Sequence, residues 1–221
     1  EVKQILEQEY TKPKNVIVMI GDGMGENDLI LAEKYSSECY PFGLIMNMIA
    51  NTGYATTYSD NAEITDSAAA GTALATGEKT NNGMIGMTPG LQDIPNISEI
   101  ARQQGKKIGI VTNDDIVGAT PAAFCVHNES RSHYEAIAAS YVASAPDVLI
   151  GQGYSYFQHQ DLSNFLTVEF SMKIDRILNK DPQCTQPLIG FFFEDITAAP
   201  SDTLAHCTEV ALNRLKGNEK G

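Results

Sequence analysis

Three short segments carry residue types that can do chemistry at close quarters. Gly21-Asp22-Gly23-Met24-Gly25 sets a carboxylate directly after the apolar run Asn15–Ile20, between glycines that allow a tight turn and close approach to the backbone. A carboxylate placed this way suits a divalent cation. It also suits a simple turn, or a phosphate-cradling loop, although the GxGxxG spacing and a following Lys-Ser/Thr are absent. Thr65-Asp66-Ser67 then leads into the small residues Ala68–Ala75. A serine there is either an N-cap or a nucleophile held where helix N–H groups face an anion. No GxSxG elbow surrounds it, so a nucleophilic Ser67 without a neighbouring base needs another activator, and metal coordination supplies one. The third segment, Gly118 to His127, holds Thr120, and Arg131 follows. A Thr hydroxyl can ligate a hard cation and an Arg can grip phosphate in a bidentate fork. A Thr-Pro helix start and a solvated Arg are the ordinary alternatives.

Short β-branched runs alternating with helical patterns must position these residues. Asn15–Ile20 reads as a buried strand, followed by a helix to about Lys34; Tyr54–Tyr58 reads as a second strand, followed by a helix over Ala68–Ala75. Ile97–Gly105 is an amphipathic helix closed by glycine, and Lys107–Thr112 a strand. A helix over Tyr134–Val142, strands at Val148–Ile150 and Leu188–Phe193 and a helix over Thr203–Lys216 complete the pattern, with residues 1–13 as a peripheral helix or arm. This alternation predicts an α/β fold with a layered, largely parallel β-sheet flanked by helices, whose sites lie outside the carboxyl ends of strands.

Together, the segments resemble the alkaline phosphatase family. NVIVMIGDGMG is similar to its first strand and metal-binding Asp, TDSAAAGTALATGEKTNNGMIG to its nucleophile segment, and ATPAAFCVHNESRSHY to its Thr ligand and phosphate-binding Arg. DVLIGQGYSYF matches a later strand and loop, and the resemblance runs from about Lys14 to Gly221. It implies hydrolysis of small phosphate monoesters with Zn2+ and Mg2+. Ser67 would attack phosphorus while bound to zinc and pass through a phosphoserine. Asp22 would bridge a zinc and the magnesium site, and Thr120 would ligate magnesium. Asp66 would orient Arg131 on the phosphate oxygens. The family has Asp or His two residues before that Thr, where this chain has Gly118, so the third metal site is expected to be altered, with Asp114 or Asp115 substituting only if the loop folds back. In the family, a turn like Asn218–Gly221 leads into a strand with a Glu ligand, followed by most zinc ligands. The expectation is therefore a single domain over 1–221, truncated before its C-terminal half, since Glu194 precedes the wrong helix for that role. The resemblance leaves homodimer formation open.

Composition narrows the alternatives. A net charge of −13 argues against binding a nucleic-acid backbone, and no apolar run is long enough for a transmembrane segment. The four cysteines form no CxxC; Cys125 reads as a buried thiol and Cys184–Cys207 as the pair expected if a disulfide forms. No leader is visible, which fits a periplasmic or secreted protein after processing and also a cytoplasmic one. A sulfatase would need a CxPxR-type motif, which is absent. A phosphotransferase of the same superfamily and a non-catalytic remnant remain the rivals.

Overall fold

The computed structural model describes residues 13–39, 43–49, 51–170, 185–192 and 203–221. Its helices are α1 (Glu26–Cys39), α2 (Ser67–Thr76), α3 (Ile97–Gln103), α4 (Ala119–Ala123), α5 (Tyr134–Ser144) and α6 (Thr203–Leu215). Its strands are β1 (Gly109–Asp115), β2 (Val148–Gln152), β3 (Leu166–Phe170) and β4 (Leu188–Phe192). The strands form one sheet in the order β1-β2-β4-β3, every pair parallel. This is the expected α/β architecture.

Both faces of the sheet are covered, which is why its central strands are apolar on both sides. Along β2, Val148 and Ile150 face α6, where Cys207, Val210 and Ala211 recur at helical spacing. Leu149 points the other way, into a cluster with Ile137, Ala138 and Tyr141 of α5 and with Ile116, Val117 and Phe157. Ile189 and Phe191 of β4 join that cluster, while Leu188 joins the first.

Two expected strands are not formed among the described residues. Asn15–Ile20 is extended but unpaired and exposed, Met19 to 87%. At its start the Lys14 carbonyl accepts from Lys106 Nζ, and the Lys107 N–H donates to the Gly221 carbonyl (2.8 Å). Tyr54–Tyr58 is likewise unpaired; the Thr56 and Tyr58 carbonyls accept from Lys79 Nζ instead of a neighbouring strand. Cys207 is a free, buried thiol; Cys184, its expected partner, Glu194 and nearly all of the expected N-terminal arm lie outside the described residues. Burial pushes the Cys207 thiol up to about 12 and raises that of Cys125, which is buried as expected.

The site depends on the meeting of α2 and α4. Gly71 is the point of closest approach: a Cβ there would stand 3.0 Å from the Ala123 Cβ and 3.5 Å from the Thr120 Cα. The small residues of α2 therefore let Thr120 come alongside the turn from which Ser67 projects.

Candidate active site

Asp22, Ser67 and Thr120 converge. The carboxylate of Asp22 accepts one hydroxyl on each oxygen: Ser67 Oγ donates to Oδ1 (3.0 Å) and Thr120 Oγ1 to Oδ2 (2.7 Å). Three segments far apart in sequence are thus joined at one side chain. Asp22 follows the extended run in a turn where the Met24 N–H donates to the Gly21 carbonyl and Gly23 has φ +65°. Ser67 opens α2, and Thr120 lies in the first turn of α4, shortly after the carboxyl end of β1.

Asp66 and Arg131 form a second group next to the first. Asp66, not Ser67, is the N-cap of α2: its Oδ1 accepts the Ala69 N–H (2.9 Å). Its Oδ2 accepts the Gly83 N–H (3.0 Å) and Arg131 Nη1 (3.1 Å). Burial alone would raise the Asp66 carboxyl; the hydrogen bonds from Ala69 and Gly83, then the Arg131 hydrogen bond and charge, outweigh it and hold the group below its ordinary value. The Arg131 side chain is 41% exposed, and Nη1 carries its one polar contact among the described residues. The remaining N–H groups of the guanidinium could take an anion.

Sequence reasoning did not find Gly83 or the pair behind it, Glu99 and His127. Glu99 Oε2 accepts the Asn96 N–H in the capping box of α3, and Oε1 meets His127 Nε2 at 3.0 Å. His127 Nδ1 contacts the Gly86 carbonyl at 2.7 Å. Burial would lower the imidazole, but the Glu99 and Gly86 hydrogen bonds and nearby carboxylate charge raise it overall. The Asn-Gly turn at Asn82-Gly83 and the Asn-x-x-Glu spacing at Asn96–Glu99 were the available signals.

The donor set separates the two expected metals. One carboxylate and two hydroxyls make an all-oxygen set, which fits a hard cation such as Mg2+ that keeps several waters. Catalytic zinc usually takes three protein ligands, and among the described residues no group of three His, Cys, Asp or Glu side chains could hold a metal ion. The described residues therefore do not fit a zinc pair. Gly118 offers no ligand, and a side chain there would place its Cβ 2.9 Å from the Asp115 carbonyl, whose turn the Gly118 N–H closes (2.9 Å). Asp114 is exposed at the end of β1, and Asp115 Oδ1 lies against Gly153.

The family model for alkaline phosphatase matches residues 13–221. Alkaline phosphatase 4 of Bacillus subtilis is 37% identical, aligned to 97% of this chain and 50% of its own length. The cold-active alkaline phosphatase of a psychrophilic Shewanella superimposes with a TM-score of 0.74 at 30% identity, covering 91% of this chain and 53% of its own. A variant of the alkaline phosphatase from the Antarctic bacterium TAB5, solved with Mg bound in its M3 site, gives a TM-score of 0.76 at 27% identity over 93% of this chain and 62% of its own. This chain spans about half the length of the curated relatives it matches. No helix among the described residues is long and apolar enough to cross a membrane. The match along almost the whole chain, joined to the meeting of Asp22, Ser67 and Thr120 beside Asp66 and Arg131, makes this chain a member of the alkaline phosphatase family.

Proposed function

We propose that this chain carries the nucleophile-bearing part of a metal-dependent phosphate monoester hydrolase that works through a phosphoserine on Ser67. The observation that carries the reading is the Asp22 carboxylate holding the Ser67 and Thr120 hydroxyls at one point, beside an Arg131 whose remaining N–H groups could take an anion. Asp22 and Thr120 would hold Mg2+, with water completing its shell. A divalent cation bound there lowers the pKa of nearby hydroxyls and offsets phosphate charge.

The chain's own residues account for orientation and charge. Asp22 Oδ1 holds the hydroxyl hydrogen, so a lone pair of Ser67 Oγ is left for phosphorus. As the Oγ–P bond forms, the hydroxyl proton passes to Asp22 Oδ1, which returns it to Ser67 when the phosphoserine is hydrolysed. The ester P–O bond breaks in line, its electron pair stays on the alcohol oxygen, and water protonates that oxygen. Arg131, steadied through Nη1 by Asp66, offers its remaining N–H groups to the equatorial oxygens, where charge is greatest in the transition state. Water then attacks phosphorus from the opposite side. The Oγ–P bond breaks, Ser67 regains its proton, and inorganic phosphate leaves.

The test is Ser67→Ala in the full-length protein, paired with mass spectrometry of acid-quenched wild type turning over an aryl phosphate ester. Phosphate on the Ser67 peptide and a loss of turnover of about 10³-fold or more are expected. Near-wild-type turnover by the variant would rule the reading out. The sparse zinc donor set favours a second reading, a chain without catalysis by itself. Metal counting on residues 1–221 separates the two, since tightly held stoichiometric zinc contradicts the second.

A further inference from the structure

Asn82 makes three hydrogen bonds and Gly83 two, and together they fix Ser67 relative to Arg131. Its side chain accepts the Asp66 N–H on Oδ1 (3.1 Å) and donates from Nδ2 to the Ile64 carbonyl (2.9 Å). Residues i and i+2 of an extended chain present these groups on one edge, so the amide takes the place of a peptide unit in a neighbouring strand; Asp66 is extended here, with φ −102° and ψ 174°. The Asn82 backbone N–H is held by Asn61 Oδ1 (2.9 Å). The next residue, Gly83, donates to Asp66 Oδ2 and accepts the Arg131 N–H (2.7 Å). An asparagine serving only its own turn bonds within about two residues; this one reaches 16 and 18 residues back.

We propose that Asn82 is a positioning residue for the phosphoryl-transfer site, clamping the backbone that delivers Ser67 to the same two-residue unit that anchors Arg131. The inference rests on the phosphatase reading above. Without the amide, Ile64–Asp66 keeps its cap on α2 but loses its register against Gly83, and the nucleophile and the anion-binding fork move independently. Misplacements of this size lower rate steeply, because reacting atoms must meet within a few tenths of an ångström.

The test uses the full-length protein with an aryl phosphate ester, assayed well below the melting temperature. Asn82→Ala is expected to lower kcat by about tenfold or more and to raise the inhibition constant of inorganic phosphate, with KM changing less than kcat. Combined with Arg131→Ala, the added penalty of Asn82→Ala should shrink to less than about threefold, since the alignment it protects is already lost. A full penalty in both backgrounds, or a lowered Tm with kcat and the phosphate constant unchanged, would overturn the proposal. If Asn82→Ala does not fold, Asn82→Asp keeps the acceptor for Asp66, removes the donor to Ile64 and is read the same way. Ser67→Ala separates the two levels. Intact turnover in that variant removes the phosphatase reading and this inference together; lost turnover with an indifferent Asn82→Ala removes the inference alone.

Discussion

The segment from Asn15 to Ile64 and the body from Thr65 to Phe170 are built from similar apolar material with opposite outcomes. Val16, Ile17, Val18 and Met19 are all more than half exposed, as are Met48, Ile49 and Ile64. In β2, Val148, Leu149 and Ile150 have no exposure. The difference is in partners. β2 lies between β1 and β4 with helices on both faces, whereas Asn15–Ile20 has neither a ladder nor a covering helix among the described residues. An apolar run therefore reports a need for neighbours and not which neighbours are present. The candidate site joins the two regions, since Asp22 comes from the first while Ser67 and Thr120 come from the second.

The largest test of this contrast is at the junction. Asp22→Ala removes the acceptor for both hydroxyls and the proposed Mg2+ carboxylate. Activity of the full-length protein should fall by about 10³-fold or more, while hydrogen exchange over residues 14–25 should speed up. Unchanged exchange there would mean that the segment is held by something other than Asp22. Next in size is the packing itself. In chemical denaturation of residues 1–221, Leu149→Ala should cost about 2–5 kcal/mol as a cavity in a filled core, and Val18→Ala no more than about 0.5 kcal/mol. Equal costs would erase the distinction.

Smaller effects belong to the body's polar supports. Asp66→Ala removes the α2 cap and should lower stability by about 1 kcal/mol. Because the Asp66 carboxyl is held below its unfolded value of 3.8, its contribution is present above that pH and is lost as pH falls through the lower folded value. Acid melts of the Asp66→Asn variant should show a shallower loss. His127 works in the opposite sense. Its imidazole is raised above 6.5, so the stability it shares with Glu99 is complete below that pH and disappears as pH rises through the folded value. Glu99→Gln should flatten the pH dependence of Tm above pH 6.5, and an unchanged slope would show that the pair contributes nothing.

How far the sequence anticipates these features varies with the kind of signal. Asp22, Ser67, Thr120 and Arg131 stand out as candidates because glycine turns, a small-residue helix and a characteristic order of segments are local patterns, and the structure brings the first three together. The helices at Tyr134 and Thr203 were readable from their apolar spacing. β3 was missed because Leu166-Thr-Val-Glu-Phe170 is short and mixed in polarity, with a strand role that depends on the β4 edge. The unpaired runs at Asn15 and Tyr54 show the converse limit, since periodicity reports apolarity and not pairing. Asp66 as the cap, in place of Ser67, follows from a choice between adjacent residues that both cap well. The Asp66 Oδ1 bond to the Ala69 N–H decides it, with Gly83 and Arg131 holding the other oxygen.

The two bonds to Asp22 also bear on the order of assembly. The Gly83–Asp66 contact closes a span of 17 residues, whereas Ser67–Asp22 spans 45 and Thr120–Asp22 spans 98. Loop-closure entropy makes the longest of these about 1.5 kcal/mol more costly to close than the shortest. The cap and the Gly83–Asp66 contact can therefore form while α2 is being built, but the Arg131–Asp66 bond, across 65 residues, and the Thr120–Asp22 bond close later. In a refolding experiment, recovery of Asp22-dependent properties should lag behind the return of helical signal, so that chemical competence serves as the clock for the last step of folding.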